Sequence, residues 1–318
     1  MLHNCRHLRV LTWHVHGNYL YYLTHAPHDF YLVTKPGHPP GYAGRVGVLP
    51  WGDNVHEIGI EEVPDRQFDV ILYQHRTHWE HDREQVLSAE QQRLPRVYIE
   101  HDPPQDSPFQ QWHWVDDPDT LLVHVTHFNQ LMWDCGVTPT RVIEHGVVVP
   151  EGVRYSGGLE RGIVVLNHLA QRGRRLGADV FAETRTRVPL DLVGMDAERL
   201  GGIGEIGNLE LAAFSARYRF FFNPIRWTSL GLAIVEAMMI GMPIVGLATT
   251  ELTTVIRNGE NGFIHTDVSA LVDAMKELLR DPDEARRLGA GARRTALERF
   301  HIDRFAQDWH EVLRHVTA

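Results

Sequence analysis

The chain has 318 residues, 43% of them hydrophobic, and a formal net charge of −10. Length and apolar share allow proper cores in one large domain or two ordinary ones, and two is the expectation. The acidic balance argues against nucleic acid or an acidic membrane surface as the main partner.

Cys5 and Cys135 are the two cysteines, which give no disulfide framework and suit a reducing compartment. The N-terminal run MLHNCRHLRVLTWHV has an apolar part too short and too rich in histidine for a signal peptide, and no stretch approaches a membrane span. A soluble cytoplasmic protein is expected, with a peripheral membrane contact left open.

Residues 7–14 (HLRVLTWH) predict a first strand, followed by the turn His16-Gly17-Asn18 and a short helix to Leu23. A second strand covers 30–34, and the Gly- and Pro-rich segment 36–52 reads as an arching loop. β-rich runs follow at 69–74, 96–100, 121–125 and 141–144, with polar segments of helical character at 79–92 and 128–135. Such alternation predicts a parallel Rossmann-like domain over 1–150, with Pro150-Glu151-Gly152 as the linker. A second series opens with a strand at 162–166, a basic turn, a helix around 177–184, a strand at 190–193 and a helix over 209–217. Beyond the central stretch, helices are predicted over 269–279, 283–299 and 303–316, the last with Phe305, Trp309, Val312 and Leu313 as an apolar stripe.

The chain reads as organised around residues 219–266. Residues 219–222 form an aromatic run ending at Asn223-Pro224, as in a strand buried on both faces. Thr228 and Ser229 are candidate caps of a helix over 230–240, which Gly241 and Pro243 end. An apolar strand at 243–247 completes one βαβ unit. Glu236 lies among Ile234, Val235, Ala237 and Met238, where a carboxylate is costly unless it reaches solvent or meets a polar or cationic partner. The preceding loop, Thr228-Ser229-Leu230-Gly231, offers free N–H groups and the positive end of a helix dipole, which suit a diphosphate.

TSLGLAIVEAMMIGMPIVG followed by NGENGF resembles the C-terminal half of the GT-B glycosyltransferases, in particular the retaining family four. Glu236-Ala237-Met238, Gly241, Pro243, Ile244 and Val245 match that family's Glu-x7-Glu region, and Asn258, Gly259, Asn261, Gly262 and Phe263 match the strand after it. Thr228 stands where the first glutamate of the motif belongs, and Thr249-Thr250-Glu251 replaces the usual Gly-Gly-x-x-Glu turn. The resemblance implies an α/β protein of GT-B fold, two Rossmann-like parallel-sheet domains facing a central cleft. Residues 1–150 would be the acceptor side and 153–300 the nucleotide-sugar side, with 301–318 a helix packing back on the first domain. It implies transfer of a sugar from a UDP- or GDP-sugar to a hydroxyl of a glycan, lipid or small molecule, retaining and without a bound metal or cofactor.

By the same resemblance the diphosphate is held by Thr228, Ser229, Leu230, Gly231 and Leu232 together with Arg172 and either Arg174 or Arg175, while Glu236 takes the ribose hydroxyls. Guanidinium suits that task because it stays charged and binds through a planar fork. His101, closing the strand 96–100, would face the cleft near the attacking hydroxyl, where hydrogen bonding and proton handling are both open. Gly17 corresponds to the glycine of a turn that approaches donor or acceptor, although it can also serve the turn alone.

Two patterns are set aside. Gly202-Ile203-Gly204-Glu205-Ile206-Gly207 satisfies GxGxxG but follows no convincing strand and reads as a loop. His75, His78 and His81 recur beside Glu80 and Asp82, yet fit no metal-ligand motif. A GT-B nucleotide-sugar epimerase and a noncatalytic nucleotide-sugar-binding protein are the alternatives, separable by turnover without acceptor and by binding without turnover. A dinucleotide oxidoreductase rests on the glycine pattern alone.

Overall fold

The computed structural model describes residues 7–15 and 17–318; Cys5 and His16, both named above, lie outside them. The chain divides into two units, Met1–Gly146 with Ile302–Ala318, and Val147–His301.

Unit 1 is built on seven parallel strands: β1 (Arg9–Thr12), β2 (Asp29–Thr34), β3 (Val55–Gly59), β4 (Val70–Tyr73), β5 (Arg96–Glu100), β6 (Thr120–His124) and β7 (Thr140–Val142). Their order is β3-β2-β1-β4-β5-β6-β7, so the winding reverses between β1 and β4. A reversal of this kind opens a crevice at the carboxyl ends of the strands. Helices α1 (Gly17–Leu23), α2 (Arg83–Gln85) and α3 (His127–Met132) belong to the same unit. Above β1, the Trp13 indole is stacked between Tyr73 and His78, with ring centroids 5.3 and 5.0 Å away.

Two local expectations fail in this unit. Residues 79–92 do not form one helix; a π turn at His78–Asp82 runs into α2 and then a 3-10 turn at Gln91–Arg93. His78, Trp79 and Asp82 are all buried, and the Tyr42 hydroxyl donates to the Asp82 carboxylate at 2.7 Å, so tertiary contacts widen the winding. β3 was not anticipated because VHEIG lacks a strong β pattern; its ladder to β2 makes it a strand.

Unit 2 holds five parallel strands, β8 (Leu159–Val165), β9 (Leu190–Val193), β10 (Tyr218–Asn223), β11 (Ile244–Leu247) and β12 (Gly262–His265), in the order β12-β11-β10-β8-β9. Its helices are α4 (Leu169–Arg172), α5 (Ala178–Thr184), α6 (Asn208–Ser215), α7 (Leu232–Ile240), α8 (Leu252–Val255), α9 (Val268–Arg280) and α10 (Pro282–Arg299). Every residue of β10 is buried, as its aromatic run predicts. Arg219 on that strand is tolerated because its guanidinium donates to the carbonyls of Gly157, Leu278 and Leu279. Gly241, at φ +101°, closes α7 in the left-handed conformation. Against it lies Gly289 of α10, where a Cβ would stand 2.1 Å from the Gly241 carbonyl oxygen.

The last helix, α11 (Ile302–Val316), is part of unit 1 and buries Phe305, Trp309, Val312 and Leu313. Phe305 meets Tyr19 of α1 edge to face, and His310 stacks on His28. Among the described residues no helix is long and apolar enough to cross a membrane.

Candidate functional site

Helix α7 begins two residues later than its sequence suggests. Gly231 is the N-cap and no side chain caps the helix; Thr228 and Ser229 stand too early in the loop to serve. The N–H of Ile234 returns to the Gly231 carbonyl, whereas those of Gly231, Leu232 and Ala233 make no hydrogen bond among the described residues. A Cβ placed on Gly231 would meet nothing within 4 Å. Thus the first turn presents unsatisfied donors, backed by the helix dipole, to open space.

Beyond that turn, Glu236 is the only residue of α7 that is not buried. It follows Leu232 by four residues and therefore shares its helix face. Its other side borders a small void of about 10 Å³ between α6 and α7, with Leu211, Ala212 and Ser215 opposite. Glu236 accordingly stands just over one helical turn beyond Leu232.

The basic turn is drawn against this loop. The Arg175 carbonyl accepts the N–H groups of both Arg226 and Trp227. Gly177, at φ +80°, comes so near Pro224 that a Cβ would lie 1.9 Å from its carbonyl oxygen, so glycine is required on both counts. The three arginines then part company. Arg174 is mostly exposed and pairs with Asp179 at 2.5 Å. Arg175 is half-buried and forms no ion pair among the described residues. Arg172 ends α4, exposed. Sequence reasoning missed Arg226, which forks onto both oxygens of Asp179 at 2.6 and 2.8 Å and donates to the Arg174 carbonyl. This pairing, followed by the smaller effect of Arg174, holds the Asp179 carboxyl below its usual range.

Neighbouring strand ends reach the same edge of the sheet. The Thr249 hydroxyl donates to the Ile225 carbonyl at 2.8 Å, tying the turn after β11 to the loop after β10. Within that turn, the one standing in place of a glycine pair, Thr250 has φ +49°. A β-branched residue is strained there, where glycine is not. His168, at φ +54°, heads α4, and the Asn167 side chain accepts the Met195 N–H after β9. Glu251 is buried, accepts the Thr254 hydroxyl at 2.6 Å and lies 3.9 Å from Arg299, a structural placement.

In unit 1, His101 follows β5 and lies edge to face with Tyr19, with centroids 4.6 Å apart. Its Nε2 is 3.3 Å from the side-chain oxygen of Gln74. Gln74 donates through its amide nitrogen to the Trp13 carbonyl and the Thr12 hydroxyl, so its oxygen must face the histidine. Nε2 therefore carries a proton, and a neutral His101 has its basic lone pair on Nδ1. Gln74, unremarked in the sequence, follows β4; only the parallel pairing of β4 with β1 reveals what it orients. Gly17 starts α1 at φ +23° with open space around its α-carbon, and its carbonyl contacts Nε2 of His14.

The decoys resolve simply. Gly202–Gly207 runs as a loop along β9, where Ile203 and Gly194 bond to Leu192 and Gly204. His78 is a buried ring of the unit 1 core. Among the described residues, no group of three or more His, Cys, Asp or Glu is placed to hold a metal ion.

Residues 168–281 match the family described as Glycosyl transferases group 1. A curated relative, trehalose synthase of Pyrococcus horikoshii, is 30% identical over 140 residues, 44% of this chain and 30% of that protein. The chain thus spans under a third of that relative's length. Among solved structures, sucrose-phosphate synthase from Thermosynechococcus elongatus superposes with a TM-score of 0.74 at 16% identity, covering 98% of this chain and 99% of the other. Anabaena HepE in complex with UDP-glucose gives 0.71 at 14%, covering 97% and 100%. With its two parallel-sheet units, the chain has the GT-B fold.

Proposed function

We propose that the protein transfers a sugar from a nucleotide-diphosphate donor, a UDP-sugar, to a hydroxyl acceptor, with retention and without a bound metal. The group 1 match over residues 168–281 and the trehalose synthase relative support a glycosyltransferase enzyme. The single observation carrying the donor reading is the open, uncapped first turn of α7, with Glu236 on the same face and the Arg175 turn bonded to the loop before it. UDP is favoured because HepE, a neighbour in fold, binds UDP and UDP-glucose.

In this reading the amides of Gly231, Leu232 and Ala233 and the Arg175 guanidinium stabilise the charge that develops on the diphosphate as the sugar C1–O bond breaks. Donors fixed in advance need no reorganisation at that moment. Arg172 assists from α4, Ser229 and Leu230 shape the loop, and Glu236 accepts hydrogen bonds from the ribose hydroxyls. Thr228 offers the donor sugar a hydroxyl in place of a carboxylate. His101 serves the acceptor hydroxyl through Nδ1, as hydrogen-bond or proton acceptor.

Calorimetric titration with UDP, UDP-glucose, GDP-mannose and ADP-glucose tests the proposal. UDP and a UDP-sugar should bind, and Glu236→Ala should weaken both by about tenfold or more, the scale of one lost charged hydrogen bond. Absence of binding by every nucleotide would overturn the donor reading.

A further inference from the structure

Unit 1 contains a concavity of about 300 Å³ at the carboxyl ends of β4 and β5. That is the small end of the range for ligand sites, the size for a single ring and its substituents. One wall is aromatic, made by Tyr98, Trp114 and Trp133. The loop after β5 also lines the concavity, and that loop is held in place before any ligand arrives. Its Asp102 N–H donates to the buried Glu100 at 2.9 Å, and its Asp102 carbonyl accepts the Trp133 indole N–H at 2.8 Å. The Gln111 side-chain oxygen accepts the N–H groups of Asp106 and Ser107.

These internal bonds decide which polar atoms are left to face the cavity. Gln111 has committed its oxygen, so its amide nitrogen remains a donor. Gln105 has committed its nitrogen to the Pro103 carbonyl, so its oxygen remains an acceptor. The Asp106 carboxylate has no partner among the described residues, and adds further acceptors. A hydroxyl both donates and accepts, and a sugar ring presents apolar C–H faces beside such hydroxyls. A phosphate brings only acceptors to these positions. Arg76 is the only arginine or lysine on the wall, and Glu80 already binds it at 2.7 Å.

We infer that this pocket takes the acceptor as an uncharged hydroxylated ring, a sugar or cyclitol, and disfavours phosphorylated acceptors. The inference rests on the transferase reading above and adds the acceptor's chemical class. An anionic ring would lose hydration and meet the carboxylates of Asp106 and Asp102, with Arg76, already shared with Glu80, as the one arginine or lysine among the described lining residues.

Saturation-transfer NMR titrations of the full chain, with and without UDP, would compare glucose and fructose with their 6-phosphates. At least one neutral sugar should bind about tenfold or more tightly than its 6-phosphate. Asp106→Asn should narrow that gap, and Gln111→Glu, which keeps the oxygen acceptors for the loop but replaces the amide donor, should weaken the neutral sugar several-fold. Equal or preferred binding of the 6-phosphates, or neutral-sugar binding untouched by both variants, would overturn the inference. So would UDP binding with no neutral-sugar signal, which leaves the donor reading intact. Neutral-sugar binding of the expected pattern without UDP binding would instead sink the donor reading alone.

Discussion

Arg174 and Arg175 are adjacent in sequence and chemically identical, yet the fold gives them different work. Arg174 is spent on Asp179, whereas the half-buried Arg175 has no ion-pair partner among the described residues. If the donor site is as proposed, Arg175→Ala should weaken UDP binding by about tenfold, and Arg174→Ala by much less, because an exposed ion pair contributes little. Titration calorimetry on both variants checks this, and equal losses would count against the assignment. The motif around Glu236 was legible in the sequence, and Thr228 in place of an acid was visible too. What neighbouring residues do to each other was not: Arg226, Asp179 and Gln74 acquire their roles only when separate strands bring them within hydrogen-bond reach.

At the scale of the element, α7 differs from α9 and α10 in one respect. Asp267 and Asp281 cap the latter two, accepting N–H groups of their first turns, while α7 carries no cap. Gly231→Ser should therefore stabilise the protein slightly, by a few tenths of a kcal/mol, since the site is open and its φ of −69° is ordinary. The same hydroxyl would compete for the amides, so UDP affinity should fall as the melting temperature rises. A gain in both would argue that those amides bind nothing. Gly289→Ala is the opposite case: helix propensity favours alanine by about 1 kcal/mol, but the clash with the Gly241 carbonyl should make the variant less stable in urea unfolding. Long amphipathic helices such as α9 and α11 were readable from their spacing, whereas the broken segment after His78 was not, because buried contacts override local preference there.

Across the whole molecule, buried histidine is unevenly shared. His28, His78, His113 and His124 are buried in unit 1, and burial, reinforced for three of them by neighbouring positive groups or histidines, lowers them from 6.5 to about 4 for His28 and about 3 for the others. No histidine of unit 2 is buried. Below pH 6.5 the unfolded chain takes up protons that the folded unit refuses, so unit 1 is most stable above that pH and loses ~1.4 kcal/mol per pH unit for each such group as pH falls. Glu100 works in the other direction, since burial lifts its carboxyl to about 8 and protonation then favours the folded form, offsetting one of the four. Scanning calorimetry between about pH 7 and pH 5 should show the unit 1 transition moving down by on the order of ten degrees or more while that of unit 2 moves far less.

The sequence by itself determined the class of fold and singled out the segment proposed to hold the diphosphate, because strand and helix periods and a contiguous motif are properties of neighbours along the chain. Only the tertiary structure decided which of two adjacent arginines is left without an ion pair among the described residues and which nitrogen of His101 faces Gln74. Those depend on hydrogen bonds between residues far apart in sequence, and a bond of that kind exists only once the sheet has brought its strand ends together.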